Sequence, residues 1–211
     1  DCSLEGNSID PLDNGVVEFM SGPAKGLYMP DGVATYETGG KTFVVLANEG
    51  DFREDDADRS AASSPGLGAA APLDRLRVSN TDSSAGDLYA AGARSFSIRD
   101  VEGNIVYDSG DILDRAADAA GVYNDGRSRD KGVEPEGVSL LDIAGRTFAF
   151  VGLERTTVAA VAVFDITDPR DVSFIDMIVT DGDVSPEGMA AYHHRGEFFL
   201  DHYHQALRRR L

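Results

Sequence analysis

The chain has 211 residues, a formal net charge of -18 and a pI near 4.4, with 42% hydrophobic residues. That length and apolar content suit one folded core or two small ones. The acidity excludes a surface built for nucleic-acid phosphates and disfavours an anionic membrane face, while the absence of 18 consecutive apolar residues excludes a spanning helix.

Other compositional features bear on habitat. Cys2 is the only cysteine, so no internal disulfide can form. Aspartate dominates the acids, and lysine occurs only at Lys25, Lys41 and Lys131. Such a surface fits a salty habitat, where self-repulsion is screened, and equally a GC-rich genome. No signal peptide is present, and the opening Asp1-Cys2-Ser3 reads as mid-domain sequence.

Residues 1–29 are rich in Gly, Asp and Asn and read as loop, with one short strand over Val16 to Met20. Pro30-Asp31-Gly32-Val33 then opens a unit that recurs at Pro135-Glu136-Gly137-Val138 and Pro186-Glu187-Gly188-Met189. The register holds beyond the tetrapeptide. Lys41-Thr42-Phe43 and Arg146-Thr147-Phe148 follow their prolines at one offset, and Glu49 and Glu154 follow at another. Repetition at fixed offsets marks one supersecondary unit used more than once.

In the first unit, Val33 to Tyr36 and Thr42 to Ala47 flank Gly39-Gly40 and predict a hairpin. Gly50 to Gly86, rich in Asp, Ser and Ala, is expected to be a surface loop, locally disordered around Ala61 to Ala71. Strands are predicted over Ala93 to Ile98 and Asn104 to Tyr107. A helix is expected over Ile112 to Ala120, with Asp111 as N-cap and Gly121 as its stop. The second unit repeats the hairpin over Val138 to Ile143 and Thr147 to Gly152. Val158 to Ile166 and Val172 to Val179 follow as strands, separated by the turn Thr167-Asp168-Pro169. The third unit begins alike through Phe198-Phe199-Leu200. It then loses the pattern, with Gln205 where an acid belongs and a tail, Asp201 to Leu211, without β alternation.

Four strands in residues 135–185 match one propeller blade. The expected fold is therefore all-β: a β-propeller segment of WD40/YVTN-like four-stranded blades, with one long loop insertion and a short helix. Residues 1–200 form the partial propeller, divided as 30–134, 135–185 and an incomplete 186–200, with 201–211 a divergent tail. Three blades do not close a ring, so the chain is expected to be a piece of a longer propeller, and its open blade edges offer a route to self-association.

A hairpin places the start of its first strand and the end of its second at the same edge. Asp31 with Glu49, and Glu136 with Glu154, thus share equivalent edges, and Glu187 repeats Glu136. Gathered carboxylates repel unless solvated, protonated or bound to cations, and hard oxygen ligands suit calcium. Asp31, Glu49, Glu136, Glu154 and Glu187 are therefore the candidate metal residues, set against plain turn chemistry in which each acid bonds backbone N–H groups.

Further acidic runs at Asp10, Asp13 and Asn14, and at Asp51, Glu54, Asp55, Asp56 and Asp58, lack EF-hand spacing. Arg127-Ser128-Arg129-Asp130-Lys131 is a basic cluster able to meet phosphate, with pairing to acids such as Glu134 the plainer expectation. Of His193, His194, His202 and His204, the last two would share a face of a strand and could hold zinc, but no third ligand stands at a suitable spacing and the segment lacks strand character. No Gly-x-Ser-x-Gly elbow or phosphate-binding glycine loop is present.

Met29-Pro30-Asp31-Gly32, Ala47-Asn48-Glu49-Gly50-Asp51, Gly92-Ala93-Arg94-Ser95-Phe96-Ser97-Ile98, Pro135-Glu136-Gly137-Val138 and Phe164-Asp165-Ile166-Thr167-Asp168-Pro169 together resemble the choice-of-anchor I proteins. The resemblance covers roughly residues 1–200. It implies an extracellular or envelope-attached β-propeller, similar to the mesenchyme-specific cell surface glycoproteins, with no settled chemistry. Some such proteins carry phosphatase names or neighbours. The expected role is binding or structural, with another protein or a surface polymer as partner. The alternative is a calcium-dependent phosphoesterase resembling phytase-type propellers, in which the five acids hold cations.

Overall fold

The computed structural model describes residues 1–52 and 55–203. Fourteen strands and one α-helix lie among them, in four small sheets, none closed into a barrel. The repeats dictate most of this. β2 (Val33–Thr38) and β3 (Lys41–Asn48), β9 (Pro135–Ile143) and β10 (Arg146–Leu153), and β13 (Gly188–His194) and β14 (Glu197–Tyr203) form three antiparallel hairpins. Each turns on two residues at positive φ: Gly39-Gly40, Ala144-Gly145 and Arg195-Gly196. That turn matches the right-handed twist of the flanking strands.

The first hairpin is extended by β7 (Ser95–Asp100) and β8 (Ile105–Asp108) into a sheet of order β2-β3-β7-β8. The second is extended by β11 (Ala159–Asp165) and β12 (Ser173–Thr180) into β9-β10-β11-β12. Both are up-and-down meanders, and the third hairpin stands as two strands. Phe96 and Phe164, with ring centroids 4.6 Å apart, join the two sheets in one core that also takes Leu113 and Ala117 from α1 (Ile112–Ala119). The Tyr36 hydroxyl donates to the Ile166 carbonyl at 3.0 Å, tying the outer ends of the sheets. The Ala191 N–H donates to Ser139 Oγ at 2.9 Å, tying the third hairpin to the second sheet.

Four expectations need correction. The segment from Gly50 to Gly86 is not a plain surface loop. It supplies β4 (Arg59–Ala61) and β5 (Arg77–Ser79), which join β6 (Leu88–Ala91) and β1 (Ala24–Leu27) in a fourth sheet of order β1-β6-β5-β4. Ala62, Leu73, Leu76 and Val78 are buried there in a second core. Three-residue strands are too short to display alternation, so the Asp- and Ser-rich composition concealed them. Val16 to Met20 is not a strand: Met20 makes only an isolated bridge with Ile9, and the strand is Ala24–Leu27, pairing parallel with β6.

The third correction concerns the tail. Asp201 to Tyr203 belong to β14, held by pairing with Gly188 to Ala190 rather than by their own β propensity. Residues 204–211, with His204 and Gln205, lie outside the described residues. The fourth is at α1. Asp111 precedes the helix but does not cap it, because its carboxylate is taken by Ser8 and Arg115. Gly121, at φ 74, ends the helix as expected, its N–H donating to the Asp118 carbonyl.

Candidate acidic site

The site is set by three chain entries. Each Pro-acid-Gly is preceded by a non-glycine residue at positive φ: Met29 at 40°, Glu134 at 52° and Ser185 at 49°. Left-handed backbone in front of proline is disfavoured, so its threefold recurrence marks a strained junction imposed by the surroundings. The first and second entries lie side by side. The Gly32 N–H donates to the Glu136 carbonyl at 2.8 Å, and a Cβ on Gly32 would come within 2.5 Å of that oxygen. The second and third repeat this more loosely, with 3.5 Å from a Gly137 Cβ to the Glu187 carbonyl. The acids Asp31, Glu136 and Glu187 thus form a row, one per unit.

The ends of the second strands come to the same edge. The Glu154 N–H donates to the Glu134 carbonyl at 2.9 Å, and the Gly50 N–H to the Met29 carbonyl at 3.1 Å. Carboxylate oxygens of Glu49, Glu134 and Glu154 lie within 4.8 Å of one another. Lys131 Nζ sits among them, 2.7 Å from Glu49 Oε1 and 2.7 Å from Glu134 Oε2. Arg127 Nε donates to Glu134 Oε1 at 2.8 Å, and an Arg155 guanidinium nitrogen is 2.8 Å from Glu154 Oε1. Glu134 is wholly buried, and Glu154 and Lys131 are each only 7% exposed.

The five predicted acids therefore separate into two layers. In the buried layer Glu49 and Glu154, joined by Glu134, are balanced three charges against three by Lys131, Arg127 and Arg155. Asp31, Glu136 and Glu187 make no ion pair among the described residues. Burial raises the pKa of Glu49, opposed by Lys131, and burial raises that of Glu154, opposed by Arg155. Glu136 is pushed up to about 8, by lost hydration first and then by the Glu49, Glu154, Asp31 and Glu187 carboxylates. Burial works against the Lys131 ammonium, but Glu134 and Glu49 outweigh it and hold its pKa above the usual value.

Sequence reasoning missed Glu134 and Lys131 as members of the site. A signal was present: where the other units place Met29 and Ser185 before the proline, the second places an acid. The basic cluster pairs with acids throughout, with Arg127 and Lys131 on Glu134, Arg129 on Asp13 and Arg59 on Asp130.

The remaining candidates do not converge. Asp10 is buried and accepts from Ser128 Oγ and Leu12 N–H, Asp13 meets Arg75 and Arg129, and Asn14 accepts from Val16 N–H. Asp51 turns to the Phe52 N–H, and Asp58 accepts from Thr81 Oγ1. Glu54 and the side chains of Asp55 and Asp56 lie outside the described residues. His202 Nδ1 stands 3.6 Å from Asp183 Oδ2, and His193 and His194 are exposed.

The choice-of-anchor I domain model matches residues 2–169, which take in the first and fourth sheets, α1 and the second sheet through β11. The chain belongs to the choice-of-anchor I family. No curated protein and no solved structure matched it. The family associates this domain with the cell surface or secretion. No helix among the described residues is long and apolar enough to cross a membrane.

Proposed function

We propose that this choice-of-anchor I domain is a segment of an extracellular or envelope-held β-propeller with a binding role, and that its acid-lined edge is the receiving surface. Two four-stranded meanders and a third hairpin, each opened by a Pro-acid-Gly tripeptide and stacked side by side, support the blade reading, with units at 30–134, 135–185 and 186–200. The observation that carries the binding reading is the row Asp31, Glu136 and Glu187, which has no countercharge among the described residues. A cationic group relieves that repulsion, whether calcium or a basic segment of a partner protein or surface polymer.

A calcium-dependent phosphoesterase is the weaker reading. It needs acids free for metal and a base free for phosphate. Lys131, Arg127 and Arg155 are already engaged by Glu49, Glu134 and Glu154.

The test is calorimetric titration with calcium chloride, against an EDTA control, on the intact chain and on an Asp31→Asn, Glu136→Gln, Glu187→Gln variant. The expected result is saturable heat and a rise in melting temperature in the intact chain, both lost in the variant. An intact chain that gives neither refutes calcium as the cation this edge receives.

A further inference from the structure

The buried layer beneath that row has the form of a cation site already filled. Oxygens of Glu49, Glu134 and Glu154 within 4.8 Å of one another can all reach one ion, since calcium–oxygen distances are about 2.3–2.6 Å. Glu134 is wholly buried, and its Oε2 has no aligned hydrogen bond. What meets that oxygen is Lys131 Nζ at 2.7 Å, with Arg155 Nε further off at 3.9 Å.

The lysine is delivered with care. Gly132 takes φ 66 at a point where a Cβ would lie 2.9 Å from both Arg94 and Asp114. The buried Arg94 donates to the Ser128 and Asp130 carbonyls, and Asp114 accepts the Val133 N–H at 3.2 Å. The loop on both sides of Lys131 is therefore fixed from below.

We propose that Glu49, Glu134 and Glu154 form a divalent-cation cage whose resident cation is the Lys131 ammonium, so that removing this side chain opens a latent calcium site. The inference does not rest on the receiving edge, because it concerns a different set of oxygens. It explains how three clustered carboxylates coexist in the fold, and it confines any calcium response of the native chain to the outer row.

The test uses Lys131→Ala in the Asp31→Asn, Glu136→Gln, Glu187→Gln background, so that heat from the outer row does not enter. Without metal the melting temperature should fall by on the order of 10 °C, since buried carboxylates lose their counter-ion. Calcium chloride, and separately ethylammonium chloride, should each restore at least half of that loss, while the background chain with Lys131 intact takes up no calcium. Failure of calcium to restore stability overturns the proposal, whatever ethylammonium does. So does equal calcium uptake with and without Lys131.

Should the alanine variant not fold, the native chain supplies a second measurement. Its three lysines can be ¹⁵N-labelled selectively. The Lys131 ammonium, assigned by Lys131→Arg, should exchange its protons more slowly than those of Lys25 and Lys41 and be unmoved by calcium. Exchange as fast as theirs, or displacement by calcium, overturns the proposal.

Discussion

Glu136 offers the sharpest quantitative test, through substitution by glutamine. Its pKa of about 8 lies well above the ordinary 4.5. The folded chain therefore holds a proton there that the unfolded chain releases once the pH passes about 4.5. Stability contributed by that proton is complete at pH 4 and is lost as the pH climbs towards 8, with no further loss beyond. The shift sets a ceiling of about 5 kcal/mol at about 1.4 kcal/mol per unit. Asp31 is exposed and the row opens to water, so screening reduces the real term to about 1–2 kcal/mol. For a chain of this size that is about 2–8 °C in melting temperature.

Glu136→Gln removes the ionisation while keeping the shape. The variant should melt with the native chain at pH 4.5 and above it by that margin at pH 9. In half-molar salt the gap should narrow, because exposed neighbours are screened. Glu49 and Glu154 are also raised, so both proteins keep a common falling slope and the difference isolates Glu136. Melting curves that coincide at pH 9 in low salt would refute the two-layer electrostatics.

Gly32→Ala places a Cβ against backbone at 2.5 Å and should destabilise by about 1–3 kcal/mol in urea unfolding, whereas Gly137→Ala, with 3.5 Å of room, should stay within about 0.5 kcal/mol. Arg94→Met leaves the wholly buried Asp114 without its 3.4 Å partner and should cost about 3–5 kcal/mol by the same measurement, with much of it recovered in an Arg94→Met, Asp114→Leu double variant. Ser185→Gly relieves left-handed backbone at φ 49 and should raise stability by up to about 1 kcal/mol, seen as a higher melting temperature.

Legibility followed local physics. Hairpins with two residues at positive φ and long strands declare themselves through a dipeptide and an alternation, so β2–β3 and β9–β12 could be read to within three residues. β4 and β5 could not, because strands of three residues held by pairing in a fourth sheet leave no periodic trace. The site was half legible for a similar reason. Asp31, Glu49, Glu136, Glu154 and Glu187 stand at repeated offsets, and the hairpin geometry gathers them at one edge. Glu134 and Lys131 stand outside the repeat, and Lys131 reaches Glu49 across 82 residues only because Arg94 and Asp114 fix its loop.

That division argues for how the domain separates architecture from chemistry. Within Pro-acid-Gly the glycine serves packing, since Gly32 admits the next unit's backbone at a distance no side chain allows. The acid has no such duty at Asp31, Glu136 or Glu187, because among the described residues none of these carboxylates is engaged in a hydrogen bond or ion pair. A turn needing only backbone bonding would be served by asparagine or serine without the lost hydration and the repulsion that together drive Glu136 to about 8. Retaining Glu136 in this row costs stability as the pH rises above its ordinary 4.5, and that cost is intelligible if the row is neutralised from outside. The buried layer shows the complementary case, in which the chain supplies its own cations and the repulsion is met within the fold.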